Sequence, residues 1–450
     1  MRVPIVLAAL VALVATTASA QPAPATGEAL VVVSGRGWGH GVGMSQYGAY
    51  GMALEGRTHE EILKHFYTGT ELGRAGSKKL RVMLAEGRRA VAISSGGPLT
   101  VRDASGAVHK LPKGALTLRG NLRFIGPKGL VQAKSPLLLR PRKGRTLTFD
   151  GHPFRGDLEL QVEKGFLRVI NVVSLDAYIQ GVVANEMPFS WPAEALEAQA
   201  VAARTYALAS IVKGKPYHLY SDVRDQVYRG IEGETARTNE AVRATGGKVV
   251  LYGGKIATTF YFSSSGGKTA NAEDVFGSPV PYLVSRPDPW DKASPHHRWG
   301  PMVFGARTLQ SKFGLSSRVV DVMGAPTPSG RVKTLGLQTL EGASKVPGVL
   351  LRTSLGLRST YVTIGVLRLD RPQGKVIAGA PLLLTGVARG LPAPTLASSV
   401  DGGSTWTPVG PLGRDASGGV SITVNPTRTT RYRIQVKDAS SPPILVQPTK

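Results

Sequence analysis

The stretch from Asn171 to Leu208 constrains the fold of this chain more than any other, because segments with different backbone preferences follow one another there. Val172–Val183 is rich in apolar and β-branched residues, which suits a buried strand or a tightly packed helix start. The regular apolar pattern ends at Asn185-Glu186-Met187-Pro188, because a proline disfavours helical geometry at the residue before it. An alanine- and leucine-rich helix is predicted from Ala193 to Ala209. Glu186 is therefore expected on a short loop between two well-anchored elements.

Glu186 is the candidate catalytic residue of this stretch. Its apolar neighbours Met187, Phe189 and Trp191 disfavour a charged carboxylate, which raises the pKa toward the range of a general acid. A structural role fits the residue pattern as well as the catalytic role does. Glu186 would either cap the following helix or pair with Arg204 inside it.

Five motifs carry a family resemblance. The run GVVANEMPFSWPAEALEAQAVAARTYAL closely resembles the signature of the SpoIID/LytB family, proteins of bacterial cell-wall remodelling. The runs GRGWGHGVGMSQYGAYGMALEG, SDVRDQVYRG, FYFSSSGGKT and LGLRSTYVTI resemble the same family, and together the motifs cover most of Gly35 to Ile364. The resemblance implies a peptidoglycan lytic transglycosylase that cleaves between N-acetylmuramic acid and N-acetylglucosamine and leaves 1,6-anhydro ends. Its catalytic glutamate maps onto Glu186.

The matched motifs also supply candidate glycan contacts. Arg204 would orient Glu186 or hold a substrate carboxylate. The full set of residues expected to bind substrate is Arg204, Gln199, Gln226, Tyr228, Ser263, Ser264, Ser265, His40, Ser45 and Gln46. The family also includes non-catalytic wall-binding proteins that enhance a partner amidase, and this alternative stays open.

The order of the motifs differs from the family pattern. The glycine-rich motif ordinarily follows the LRST strand, whereas here it comes first, which predicts a circular permutation that places Leu30–Val33 beside Tyr361–Ile364. Its alternating glycines indicate a backbone that lies close to a neighbouring chain or a sugar. His40 within the motif would be a ligand, a proton shuttle or a structural hydrogen-bonding group.

Three other motifs point to different chemistry but are incomplete. Ser265–Lys268 matches the S-x-x-K motif of penicillin-recognising enzymes without the accompanying S-D-N and K-T-G. Asp222 and Asp225 suggest a glycosidase carboxylate pair, although loop aspartates are usually turn formers. His296-His297 has no clear partners at metal-ligand spacing. No cofactor and no metal are predicted.

Local signals define short helices near the N-terminus. Ser45 is placed to cap a helix that ends before Gly56. Thr58 and Glu61 form a capping box for the next helix, predicted over His59–Phe66.

The predicted export and the positive net charge limit the classes of binding partner that this protein can have. Met1–Ala20 has the features of a secretory signal peptide, so the mature protein is expected outside the cytoplasm, secreted or at the cell wall. The net charge is +25, and Arg74–Arg145 holds many basic residues beside two acids, Glu86 and Asp103. Nucleic acid is disfavoured because the protein is exported and this stretch is poor in aromatic residues. Peptidoglycan strands and anionic wall polymers are the expected partners, and a compositional bias toward arginine is the alternative.

We therefore predict an α+β protein with an SpoIID-like mixed core, an antiparallel β module and a C-terminal immunoglobulin- or fibronectin-like β-sandwich. The predicted segments are a signal peptide (1–20), the glycine-rich motif (28–72), a basic β-rich module (78–165), the catalytic core (166–366) and the β-sandwich (371–450).

Overall fold

The structure is a computed structural model that describes residues 27–212 and 214–450, so the predicted signal peptide lies outside the described residues. Within this range the chain is a mixture of helices and strands, which confirms the α+β class. None of the described helices has the length and apolar character needed to cross a membrane.

The helices of the described residues are α1 Gln46–Leu54, α2 His59–Phe66, α3 Leu175–Glu186, α4 Ala193–Ala209, α5 Ala236–Ala244, α6 Ala272–Phe276, α7 Ala306–Phe313 and α8 Gly348–Leu355, with a 3₁₀ turn at Pro289–Ala293. The strands are β1 Leu30–Gly35, β2 Met44–Ser45, β3 Glu71–Arg74, β4 Lys79–Arg88, β5 Ala90–Ser95, β6 Leu99–Arg102, β7 Val108–Leu111, β8 Gly114–Arg119, β9 Arg123–Gly126, β10 Gly129–Gln132, β11 Leu137–Pro141, β12 Leu147–Phe149, β13 His152–Phe154, β14 Asp157–Glu163, β15 Phe166–Ser174, β16 Leu219–Tyr220, β17 Lys248–Tyr252, β18 Lys255–Ile256, β19 Tyr261–Phe262, β20 Trp299–Gly305, β21 Val319–Pro326, β22 Val332–Thr339, β23 Ala343–Pro347, β24 Val362–Leu369, β25 Leu382–Arg389, β26 Thr395–Ser399, β27 Thr407–Pro411, β28 Gly419–Val424, β29 Thr430–Val436, β30 Ala439–Ser440 and β31 Ile444–Val446.

The described chain divides into two compact units. Unit 1 comprises residues 43–261 and 281–284, and unit 2 comprises the remaining described residues.

Helix α4 lies at the centre of the helical part of unit 1. Helices α1, α2, α3 and α5 all pack against it. Every residue from Ala198 to Thr205 is buried, which is more than two turns and therefore includes all faces of the helix. The predicted alanine-rich helix is confirmed, and its small side chains let four neighbouring helices approach closely.

The two largest sheets of unit 1 are a seven-stranded sheet, in the order β16-β4-β15-β14-β11-β6-β7, and the four-stranded sheet β13-β12-β5-β8. Strand β15 pairs antiparallel with both β4 and β14. The sheet therefore continues across the predicted boundary between residues 165 and 166. At Ser174 the chain leaves β15 and enters α3 directly.

The loop position predicted for Glu186 is wrong, because α3 extends through this residue. Met187 follows as the C-cap with extended geometry, φ −131° and ψ 143°. The proline effect acts on the residue immediately before Pro188, which is Met187, and it leaves Glu186 free to complete the helix.

In unit 2 the first strand pairs with a strand more than three hundred residues later. Strands β1 and β24 are antiparallel, with Val33 opposite Ile364. The predicted placement of Leu30–Val33 and Tyr361–Ile364 in one domain is confirmed. Circular permutation would account for this pairing and stays a prediction.

The C-terminal segment shares a sheet with the rest of unit 2. Strand β25 pairs with β24 in the five-stranded sheet β20-β1-β24-β25-β28. Leu367 and Leu369 of β24 belong to the same apolar core as Leu396 and Ile434 of the C-terminal segment. The immunoglobulin-like sandwich is not confirmed, and the segment is not separated from the strands that precede it.

We expect removal of residues 371–450 to destabilise unit 2. Leu367 and Leu369 are 0% and 2% exposed, and each would lose about 1.5–3 kcal/mol if its cover were removed. Strand β24 would also lose its pairing with β25. Urea unfolding followed by circular dichroism should show a lower free energy of unfolding for the truncated chain. An unchanged value would show that the segment is an independent module.

Candidate active site

Glu186 is held in place from three directions within unit 1. Its Oε1 accepts a hydrogen bond from the main-chain N–H of Val227 at 3.2 Å. The side chains of Gln46 and Tyr261 also hydrogen-bond its carboxyl group. In addition, Gln46 Nε2 donates to the main-chain oxygen of Glu186 at 3.2 Å. The residue as a whole is half-buried, and its carboxyl group lies mostly out of contact with water and is oriented by these hydrogen bonds.

Burial raises the pKa of Glu186 above its ordinary value of 4.5, because the charged form loses water. The hydrogen bonds from Val227, Gln46 and Tyr261 favour the carboxylate and lower the pKa in part. The raised pKa predicted from the sequence is confirmed in direction. Burial therefore favours the protonated form of Glu186, and the same three hydrogen-bond donors stabilise the carboxylate when it forms.

A chain of hydrogen bonds orients Tyr261 toward this carboxyl group. Tyr178 donates its hydroxyl to Gln226 Oε1 at 3.2 Å, and Gln226 Nε2 donates to the Tyr261 hydroxyl at 2.9 Å. Gln226 Nε2 also donates to the Ala203 carbonyl at 3.3 Å. Because the Tyr261 oxygen accepts from Gln226, its own proton is directed elsewhere and serves Glu186 as the donor. Burial, followed by the nearby Glu186 charge, raises the pKa of Tyr261 well above 10 and keeps that proton in place.

Direct backbone contact fixes α3 against the loop that supplies Val227. A Cβ at Gly181 would lie 2.2 Å from the Gly230 carbonyl oxygen, so only glycine fits there. Tyr228, predicted to bind substrate, instead packs under this loop, and its hydroxyl donates to Asn171 at 2.8 Å. Tyr228 is buried and stabilises the fold around Glu186.

Asp222 and Asp225 support the same loop. Asp225 accepts from the Tyr206 hydroxyl at 3.2 Å and from the Tyr220 main-chain N–H at 2.8 Å. Asp222 forms an ion pair with Arg224 at 2.7 Å. Both carboxylates shape the turn, which agrees with the turn-forming role considered from the sequence.

Arg204 differs from its predicted role. Its guanidinium group is fully buried and pairs with Asp176 at 3.3 Å, and it donates to the carbonyls of Val242 and Lys248. It therefore ties α4 to α3 and α5, and it neither pairs with Glu186 nor presents a surface to substrate. Gln199 is also fully buried, and its amide has no hydrogen-bond partner among the described residues.

The serine motif lies in unit 2 and is mostly buried. Ser264 Oγ donates to Asp291 at 3.0 Å, and Ser265 Oγ donates to Asp288 at 2.7 Å. These two serines are therefore structural and not substrate contacts, and the nucleophile interpretation of Ser265–Lys268 loses its support. Ser263 keeps partial exposure.

The glycine-rich loop of unit 2 lies against other protein segments. A Cβ at Gly37 would be 2.5 Å from the Ser264 carbonyl oxygen, and one at Gly41 would be 2.7 Å from the Arg331 guanidinium. The alternating glycines therefore accommodate a neighbouring chain. His40 Nδ1 accepts from the Val42 main-chain N–H at 3.1 Å, as the structural alternative for His40 predicts. Ser45, in unit 1, caps α1 by accepting from Gly48 N–H at 3.1 Å, as predicted.

His59, Glu194 and Glu197 form the one group of potential metal ligands found among the described residues, with ligand atoms within 4.8 Å of one another. His59 Nδ1 lies 2.8 Å from Glu194 and 3.0 Å from Glu197. Lys248 Nζ lies 3.0 Å from the other ring nitrogen of His59. Each polar group in the cluster has a hydrogen-bond partner within the protein, and the lysine offsets part of the carboxylate charge, so the group is a hydrogen-bonded network.

The sequence analysis missed Tyr261 and the main-chain N–H of Val227. Both lie in motifs that resemble the family, Tyr261 directly before the serines and Val227 shortly after the two aspartates, and a main-chain N–H carries no signal in the sequence. It also missed a ring cluster in which Tyr47 and Tyr50 pack on Trp191 at centroid distances of 4.9 and 4.7 Å. The two tyrosines are three residues apart on α1, and this spacing in the sequence predicts that they lie on the same face of the helix.

Comparison with known proteins points to one family. The SpoIID family profile, described as stage II sporulation protein, matches residues 163–252. Stage II sporulation protein D of Bacillus amyloliquefaciens is 31% identical over 263 residues, which is 53% of this chain and 74% of that protein. The B. subtilis protein of the same name is 32% identical over 209 residues, which is 42% of this chain and 59% of that protein. The amidase enhancer of B. subtilis is 43% identical over 113 residues, 25% of this chain, and the match spans only 15% of the enhancer.

The free energy of unfolding of Glu186→Gln should increase relative to that of the wild type as the pH rises. Because the folded pKa of Glu186 is raised, the folded state holds the proton more tightly than the unfolded state does, and wild-type stability falls as pH rises from about 4.5 through the folded pKa. Glutamine lacks this proton. The free energy of unfolding, measured by urea at pH 4 and pH 7, should therefore rise for the variant relative to wild type. A difference that shrinks toward pH 7 would contradict the raised pKa.

Proposed function

The chain belongs to the SpoIID family, and on that premise we propose that it is an exported protein of peptidoglycan remodelling that cleaves glycan strands as a lytic transglycosylase. The observation that carries this proposal is the arrangement at Glu186. A single carboxyl group combines a raised pKa with fixed hydrogen-bond donors, on a residue that is only half-buried.

One carboxyl group suffices for this reaction. Protonated Glu186 would give its proton to the glycosidic oxygen as the bond from that oxygen to C1 of N-acetylmuramic acid breaks. The resulting carboxylate would then accept the proton of the C6 hydroxyl while O6 bonds to C1 and closes a 1,6-anhydro ring. The proton returns to Glu186, so the cycle consumes no water and needs no second carboxylate.

Tyr261 and Val227 would stabilise Glu186 between the two proton transfers, when its carboxyl group is charged. Their hydrogen bonds to the carboxyl group stabilise the anion that exists between the two proton transfers. Because their positions are fixed by Gln226 and by the packing of Gly181, little reorganisation is required during the reaction.

Aromatic residues on α1 and in the segment that follows Glu186 in the chain would offer a surface for the sugar. Tyr47 and Tyr50 pack on Trp191, and Phe189 is 57% exposed. Sugar rings present apolar C–H faces that pack well on aromatic side chains. This surface supports a glycan substrate, whereas the buried Arg204, Gln199 and Tyr228 do not contribute to it.

A second candidate is a non-catalytic role as an amidase enhancer. It is favoured by the 43% identity to the B. subtilis amidase enhancer over 113 residues. In that case the protein would bind the wall and accelerate a partner amidase without releasing anhydro products.

Glu186→Gln should separate these functions. The amide keeps the size of the side chain but cannot exchange a proton, so we expect release of 1,6-anhydromuramic products from purified glycan to fall by at least about 10²–10⁴-fold. Mass spectrometry of the products is the measurement, and Glu71→Gln, an exposed glutamate of the same unit, is the matched control.

A variant that releases anhydro products at the wild-type rate would remove Glu186 from the mechanism. A wild-type protein that releases none, yet accelerates an added amidase equally well with and without the substitution, would establish the enhancer role instead.

A further inference from the structure

The proposed reaction does not account for the exposed apolar residues of one hairpin in unit 1. Strands β9 and β10 form a two-stranded sheet of their own, joined by a turn at Pro127-Lys128. Ile125 and Leu130 lie directly opposite each other in the antiparallel register. Their side chains are 72% and 66% exposed, so two large aliphatic groups stand side by side in water.

The opposite face of the hairpin anchors it to the fold. Phe124 and Leu122 are 4% and 2% exposed, and the Phe124 ring packs edge-on against His109 at 5.6 Å. The buried face therefore holds the hairpin in position, while most of the surface of Ile125 and Leu130 faces solvent. Large exposed apolar side chains placed together in this way mark interaction sites.

The charge around the hairpin is strongly positive. From residue 102 to residue 134 the chain has seven basic residues and one acid, Asp103. Asp103 accepts hydrogen bonds from the main-chain N–H groups of Ser105 and Ala107 in its own turn and from that of Lys134 farther along the chain, so its carboxylate is already partnered. All seven basic side chains are exposed, and none forms an ion pair with another described residue: Arg102, Lys110, Lys113, Arg119, Arg123, Lys128 and Lys134.

We propose that the β9–β10 hairpin docks on the surface of an anionic phospholipid bilayer. Ile125 and Leu130 would enter the boundary between headgroups and acyl chains, and the surrounding lysines and arginines would contact the lipid phosphates. Charge complementarity requires an anionic partner, and the apolar pair distinguishes a bilayer from a wall polymer, which offers phosphate without a hydrocarbon phase. This proposal does not depend on the reaction at Glu186.

Vesicle flotation tests the proposal on the protein collected after export, with its N-terminus checked by mass spectrometry so that the apolar run Val3–Val14 does not contribute. Binding is measured to vesicles of phosphatidylglycerol and phosphatidylethanolamine and to vesicles of phosphatidylcholine. We expect binding to the anionic vesicles only, weakened by salt because the Debye length shortens to about 3 Å at 1 M.

Two variants probe the two parts of the hairpin. The double variant Ile125→Ser, Leu130→Ser should bind anionic vesicles about tenfold or more weakly, because it removes the inserted aliphatic groups. Lys128→Glu should also weaken binding, because it reverses one contact charge. Leu383→Ser is the matched control, since Leu383 is a strand leucine that is 59% exposed in unit 2. Thermal unfolding of each variant confirms that it is folded.

Three outcomes would overturn the proposal. These are equal binding of the double variant and wild type, a loss of binding in the Leu383→Ser control as large as that in the double variant, and binding to purified wall without binding to anionic vesicles. The last result would assign the basic surface to an anionic wall polymer.

Discussion

The full burial of α4 is the constraint on which the candidate site depends. Its alanines allow α1, α3 and α5 to lie close around one axis, and the buried Arg204 joins α4 to α3 through Asp176 and to α5 through the Val242 carbonyl. Helix α3 packs against α4 and against the Gly230 loop, and these contacts fix the main chain at the end of α3. The last residue of α3 is Glu186, so helix packing sets the location of the carboxyl group before any catalytic requirement applies.

The site balances two opposing effects on that carboxyl group. Burial favours the neutral acid, whereas the hydrogen bonds from Val227, Gln46 and Tyr261 favour the anion. A group that must donate a proton and then accept one benefits from both, because neither state becomes inaccessible. The polar partners are positioned by the fold, which separates this arrangement from a glutamate that merely caps a helix.

Local signals in the sequence predicted much of the fold. The alanine-rich helix, the Ser45 cap and the Thr58–Glu61 capping box are confirmed, because each depends on residues only a few positions apart. The contacts that define the site join distant segments and could not be read from spacing. Tyr261 lies far along the chain from Glu186, and the burial of Ser265 depends on Asp288. Glu186 could therefore be proposed from the sequence, whereas the burial of most of the predicted substrate contacts could not.

The pKa of Glu186 tests this account most directly. It can be measured by nuclear magnetic resonance titration of side-chain carboxyl carbons, with Glu186→Gln used to assign the signal. The account predicts a pKa above 4.5 in the wild type and a further increase in Tyr261→Phe, which loses one donor to the carboxylate. A wild-type pKa at or below 4.5, or a pKa that falls in Tyr261→Phe, would contradict the proposal that burial and these donors prepare Glu186 for proton transfer.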